Sequence, residues 1–230
     1  MIFSSNFPAT SRLRGAVSGS VPPRGSIHLW WAHLAPRESE IVRLQDLLSP
    51  AERDRAARLR TSDSRRRFVV ARGLLRTLLG NCLAEDPAEV ALTIGLHGKP
   101  RLVGPPPPLS FNISHADDLA VFAFAADGEV GVDVERIQAV ADWKDIATSY
   151  FEESETATLA AVTETQRAPA FIGAWTRHEA RLKVSGHGWG HSRPADSTTI
   201  SFCPIEPPAG FAAALAIAGP PATVVDRGFL

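Results

Sequence analysis

From Val130 to Glu135 the chain reads Val-Gly-Val-Asp-Val-Glu, a period-two alternation that a β-strand turns into two chemically different faces. Val130, Val132 and Val134 make one face, suited to a core. Gly131, Asp133 and Glu135 make the other, which projects two carboxylates side by side from a rigid element. Like charges held so close repel, and a hard cation relieves the repulsion. Oxygen ligands without His or Cys suit Mg²⁺ or Mn²⁺ better than zinc. Taken alone, the pair reads more readily as an edge strand with a charged, solvated face.

The flanking sequence gives this strand a setting. Leu119 to Ala125 is apolar and aromatic, and Ala126-Asp127-Gly128 supplies turn residues, so a β-hairpin with Glu129 to Glu135 is expected. Ser26 to Leu34 is dense in β-formers and predicts the first strand. Ser49 as N-cap, Pro50 at the first helical position and Glu52 three residues after the cap predict a helix to about Leu59. A second helix is expected near Ser64 to Ala84, with Phe68, Leu75, Leu78 and Leu79 at helical spacing. Gly104 and Pro105 to Pro108 make a stiff connector. Helical segments follow at about 143–150, 153–162 and 168–184, and strands at 198–202 and 210–217. Residues 1 to about 25, rich in Ser, Gly, Pro and Arg, read as a flexible tail. Strands and helices thus alternate in two comparable halves, roughly 26–128 and 129–230.

Composition narrows the class of function. The chain has 230 residues, enough for one large domain or two small lobes, with a formal net charge of −1. No global field draws it to nucleic acid or to a membrane. Its two cysteines, Cys82 and Cys203, lack metal-ligand spacing, so neither a zinc site nor a disulfide framework is expected. No apolar run reaches spanning length and no secretory h-region opens the chain, so a soluble cytoplasmic protein is expected. Arg53 to Arg76 holds nine arginines against Asp54 and Asp63. A solvated helix face, a nucleic-acid patch and a phosphate clamp all fit that stretch, and the lack of interleaved aromatics apart from Phe68 argues against single-strand binding.

Trp175, Glu179 and Lys183 are four apart on a predicted helix and share one stripe. Alone they describe a core anchor with a surface salt bridge. Together with the strand they fall into a pattern. Gly131-Val-Asp-Val-Glu135, then Trp-x-x-x-Glu-Ala-x-x-Lys some forty residues later, resembles the surfactin-synthetase type of 4′-phosphopantetheinyl transferase. Leu48-Ser-Pro, Arg65-Arg-Arg67-Phe, Gly98-Lys-Pro100 and Phe111-Asn-Ile-Ser-His115 extend the resemblance, in the family's order, over roughly Trp30 to Trp189.

The resemblance implies an α+β fold of two similar lobes related by a pseudo-two-fold axis, each a small antiparallel sheet with a packed long helix, and coenzyme A bound at their junction. It implies transfer of the phosphopantetheine arm of coenzyme A to a serine of an apo acyl or peptidyl carrier protein. Asp133, Glu135 and Glu179 would hold Mg²⁺ (Mn²⁺ as a substitute), Glu179 would also be the candidate base, and Lys183 would bind phosphate. Arg55, Arg67, Lys99, Pro100, Ser114 and His115 would contact coenzyme A, with Asp133 and Lys183 beside its pyrophosphate. The family type is commonly associated with secondary metabolism, and an internally duplicated chain is expected to act as a monomer. Two other readings share the carboxylates: a metal-dependent pyrophosphate hydrolase of coenzyme A or nucleotides, and a non-catalytic relative that only binds carriers.

The sequence departs from the family at His178, where a lysine normally precedes Glu-Ala. The expectation is that His178 partly replaces that cation, with activity falling as pH rises through the imidazole range. His187 and His191, in a glycine-rich stretch, are expected in a loop rather than as a metal pair.

Overall fold

The computed structural model describes residues 20–95, 98–104, 109–185 and 199–230. The proline connector, His187 and His191, and all but the last residues of the expected tail lie outside them. The chain forms two compact units, one built on His33–Ala88 and the other on Val21–Ala32 and Glu89–Phe229. Among the described residues, six helices and nine strands in small sheets give the mixed α+β class that was expected.

The first unit is helical, with α1 (Glu38–Asp46) and α2 (Pro50–Ala57) both packed on α3 (Ser62–Leu83). The α2 start is as read from sequence. Ser49 Oγ accepts from the Glu52 amide at 3.3 Å, while Glu52 Oε2 accepts from the Ser49 amide at 3.0 Å. Glu52 has a second task. Its Oε2 also accepts from Arg76 Nε of α3 at 2.7 Å, and Arg76 Nη1 donates to the carbonyls of Pro87 and Ala88. The ion pair is buried, so one acid caps α2 and neutralises the charge that α3 places in the core.

The second unit holds all the sheets. Strands β1 (Ser26–His33), β2 (Leu92–Ile94), β3 (Pro100–Leu102), β4 (Ser110–Ala116), β5 (Leu119–Ala125) and β6 (Val130–Arg136) come first. Helices α4 (Trp143–Tyr150), α5 (Glu153–Ala161) and α6 (Glu164–Ser185) follow, then β7 (Ile200–Cys203), β8 (Phe211–Ala218) and β9 (Thr223–Phe229). One sheet has the order β4-β5-β1-β9 and another β6-β8-β7, with β2 and β3 as a separate pair. Helix α6 lies on β6 and β8. A single apolar cluster joins Ile27 and Leu29 of β1, Val121 and Ala123 of β5, the three valines of β6, and Leu215 and Ile217 of β8.

The expected hairpin between 119–125 and 129–135 does not form. Strand β5 pairs with β4, from Ser110↔Ala125 to Ala116↔Leu119, and β6 pairs with β8. Every residue of β5 is buried, so an apolar run without alternation carries no information about its partner. The actual turn is Asp117-Asp118, with Asp117 at φ +49°, a left-handed conformation that aspartate tolerates better than most residues. Gly128, at φ +82°, instead carries the chain from one sheet to the next, and a Cβ there would stand 2.4 Å from the Ala218 carbonyl oxygen.

Strand β9 was not expected. It pairs parallel to β1, from Ser26↔Thr223 onward, and its Arg227 Nη2 reaches Nε2 of the buried His28 at 2.9 Å. A guanidinium only donates, so that nitrogen accepts and His28 is neutral. Burial, then the Arg227 charge, holds its pKa below the usual 6.5.

Two outcomes are expected from these contacts. Glu52→Ala strands the buried Arg76 guanidinium and lowers stability by about 3–5 kcal/mol, read from the urea midpoint. Because the folded-state pKa of His28 is depressed, its contribution to stability is complete above pH 6.5 and is lost as pH falls below that value. Wild type minus His28→Gln stability, measured from pH 8 to pH 5, should show that slope.

Candidate active site

The site is built where α6 crosses β6. Strand β6 opposes alanines along β8 (Asp133↔Ala214, Gly131↔Ala216), and these small residues form a cluster with Ala180 and Val184 of α6. The closest approach is at Gly131. A Cβ there would stand 2.2 Å from the Ala180 carbonyl oxygen and 2.7 Å from the Val184 amide nitrogen. Only glycine lets the helix lie so close. The consequence is positional: Glu179 and Lys183, one helical turn apart, are set over the Asp133 and Glu135 face of the strand.

Lys183 is the centre of the polar contacts. Its Nζ donates to Asp133 Oδ1 at 2.7 Å, to Ser114 Oγ at 2.9 Å and to the Val132 carbonyl at 3.2 Å. Ser114 Oγ in turn donates to Asp133 Oδ1 at 2.8 Å. The second carboxylate oxygen, Asp133 Oδ2, is buried and has no hydrogen-bond partner. Burial first, then the Asp133 charge, pushes the Glu135 carboxyl up to about 7 against the pull of Lys183. Glu179, also buried, is pushed up by its burial and by Asp133, with Lys183 opposing. Asp133, Glu135, Glu179, Lys183 and Ser114 are thus brought together as one electrostatic group.

The remaining predicted residues divide. Lys99 Nζ donates to Glu129 Oε2 at 2.9 Å, to the Val130 carbonyl at 3.2 Å and to the Lys183 carbonyl at 2.9 Å, which ties the end of α6 to the start of β6. Burial lowers its pKa, with Glu129 opposing. Pro100 is buried at the start of β3, and His115 is on the exposed side of β4. Arg55 and Arg67 belong to the helical unit, where the Arg55 guanidinium sits 5.5 Å from the Phe68 ring centroid.

His178 lies on α6 next to Glu179. It is half-buried among rings, 5.6 Å from Tyr150, 6.1 Å from Phe151 and 5.7 Å from Trp175 between centroids. Burial, then the Arg181 charge, lowers its pKa below 6.5, with Glu155 opposing. Packing among these rings favours the neutral imidazole. Trp175, partly buried, belongs to the same ring cluster.

Among the described residues, no three His, Cys, Asp or Glu side chains are grouped so that they could hold a metal ion as they stand. Lys183 occupies Oδ1 of Asp133. The donor chemistry nevertheless suits a hard cation: three carboxylates, one with a buried, unpartnered oxygen and two with pKa values raised by burial and by the Asp133 charge. Sequence reasoning gave Asn112 and Glu129 no role. The signal was present in the period-two run Ser110, Asn112, Ser114 on β4.

The chain belongs to the 4′-phosphopantetheinyl transferase superfamily. The superfamily pattern matches residues 129–218, and the pattern of the 4′-phosphopantetheinyl transferase N-terminal region matches 31–127. The chain is 33% identical over 183 residues to the 4′-phosphopantetheinyl transferase HetI of Nostoc sp., covering 79% of this chain and 76% of that protein. It is 35% identical over 136 residues to AcpT of Escherichia coli (57% and 68%) and 30% identical over 193 residues to a phosphopantetheinyl transferase of Thraustochytrium sp. (77% and 67%).

Gly131→Ala should separate α6 from β6. A misplacement of roughly 1 Å costs about 100-fold in rate, while such overpacking costs about 1–3 kcal/mol in stability. Transfer rate and thermal midpoint measured together should show the first loss far exceeding the second.

Proposed function

We propose that this chain moves 4′-phosphopantetheine from coenzyme A to the serine of an apo acyl or peptidyl carrier protein, with Asp133, Glu135 and Glu179 as ligands of Mg²⁺. The observation that carries the metal reading is Asp133, whose Oδ1 is taken by Lys183 and Ser114 while its buried Oδ2 is left free. When bound, the ion supplies positive charge to the phosphate oxygens, where negative charge builds in the transition state.

The chain's own residues do the rest. The carrier serine oxygen forms a bond to the β-phosphorus, the bond from that phosphorus to the bridging oxygen breaks, and 3′,5′-ADP leaves with the electron pair. Glu179 takes the serine proton, directly or through water, and the burial that raises its pKa makes it a better base than a solvated carboxylate. Lys183, whose ammonium touches Asp133, faces the same phosphates and offsets their charge. In this reading Arg55, Arg67, Lys99, Pro100, Ser114 and His115 contact coenzyme A. Lys99 and Ser114 do so from hydrogen bonds that already position the site.

Two adjacent family patterns, over 31–127 and 129–218, support two halves near 26–128 and 129–230 in one chain, and with them a monomer. The six ordered motifs support the surfactin-synthetase type and carriers of secondary metabolism. Free Cys82 and Cys203 accord with the cytoplasm, and among the described residues no helix is long and apolar enough to cross a membrane.

The test is mass spectrometry of apo carrier domains incubated with the protein, coenzyme A and Mg²⁺. A gain of one phosphopantetheine is expected, and Asp133→Ala or Glu179→Ala should abolish it with the circular dichroism spectrum intact. Coenzyme A cleavage without carrier modification would instead identify a hydrolase, and carrier binding alone a non-catalytic relative.

A further inference from the structure

Strands β4 and β6 lie beside each other yet belong to different sheets. Side chains of β4 do what a main-chain ladder would do. The Val130 amide donates to Ser110 Oγ at 3.1 Å, and the Val132 amide donates to Asn112 Oδ1 at 3.0 Å. Two residues further on, Ser114 Oγ donates to Asp133 Oδ1. The β4 partners Ser110, Asn112 and Ser114 recur with the strand period and meet β6 at Val130, Val132 and Asp133.

Asn112 is the member of this seam set closest to the chemistry without touching it. It is 4% exposed, and the amide it satisfies is that of the residue before Asp133. The Val132 carbonyl, on the same strand edge, accepts from Lys183. Both main-chain polar groups of Val132 are therefore fixed, one by β4 and one by α6. A strand whose edge groups lack partners can shift its register, and a buried amide left without an acceptor is costly. An amide side chain at 112 removes both problems at the point where the carboxylate must be held still.

We propose that Asn112 is a positioning residue of the transfer site: its Oδ1 anchors the Val132 amide and so holds Asp133 with one oxygen on Lys183 and Ser114 and the other available to a divalent cation. This rests on the metal reading above. Ser110 does the same stitching at Val130, two residues further from Asp133, and serves as the control for seam stability alone.

The experiment compares wild type, Asn112→Leu, Asn112→Asp and Ser110→Ala as full chains. Three quantities are read: Mn²⁺ affinity by electron paramagnetic resonance, kcat with KM for coenzyme A, and the thermal midpoint. Removing a group that orients a metal ligand costs about 10–100-fold in metal affinity or activity. That loss is expected for Asn112→Leu in Mn²⁺ affinity and kcat, with KM for coenzyme A little changed. Asn112→Asp keeps the acceptor oxygen and should recover part of both. Ser110→Ala should lower the thermal midpoint to a similar extent while keeping Mn²⁺ affinity and kcat. Wild-type-like Mn²⁺ affinity and kcat in Asn112→Leu, or equal losses in Ser110→Ala, would overturn the proposal. Should the leucine variant misfold, Asn112→Ala is judged by the same criteria. If wild type itself binds no Mn²⁺, the metal reading fails, and the kcat contrast between the 112 and 110 variants decides the positioning role by itself.

Discussion

The contact of Gly131 with the Ala180 to Val184 turn of α6 is the constraint on which the site depends. A glycine on the strand and alanines at 180, 214 and 216 remove the side chains that would hold helix and strand apart. The residues that remain to face one another are then carboxylates and a lysine. Burial, then the Asp133 charge, pushes the Glu135 carboxyl up to about 7. Lys183 offsets part of it. A site arranged in this way is poised to take up positive charge, whether from a proton or from a cation.

Two lysines maintain the arrangement by the same device. Lys183 gives one of its hydrogen bonds to the Val132 carbonyl, and Lys99 gives one to the Val130 carbonyl, two residues earlier on the same strand. Lys99 also accepts the task of closing α6, by donating to the carbonyl of Lys183 itself. On that same edge, which faces away from β8, Ser110 and Asn112 take the amides of the same two residues. Strand β6 is therefore held by side chains where its main chain has no β partner, and those side chains come from segments far apart in sequence.

This explains what was legible in the sequence and what was not. The α2 capping box was readable because it depends on local spacing, whereas the carboxylates, Glu179 and Lys183 stood out only through the ordered motifs that resemble the family's. Val130, Val132 and Val134 are buried as their alternation requires. The partner of β5 was not readable, since a strand buried throughout looks the same against any neighbour, and a turn of two aspartates carries no glycine to announce it. Strand β9 escaped because Thr-Val-Val-Asp-Arg-Gly-Phe has little alternation and gains its order from the distant β1. Asn112 was quoted within a motif but had no role until its partner strand was known.

His178 shows how far a pattern can be carried residue by residue. Its neighbour Glu179 faces the strand, but 178 is turned toward Tyr150, Phe151 and Trp175. A half-buried ring there adds apolar contact between α6 and the segment carrying α4, which a lysine ammonium would have to leave for solvent. The helix is then fixed on two sides, by small residues toward β6 and by aromatic rings away from it. For a helix that must hold Glu179 against the repulsion of Asp133, packing on the far side does work that a second cation beside the carboxylates would do by charge.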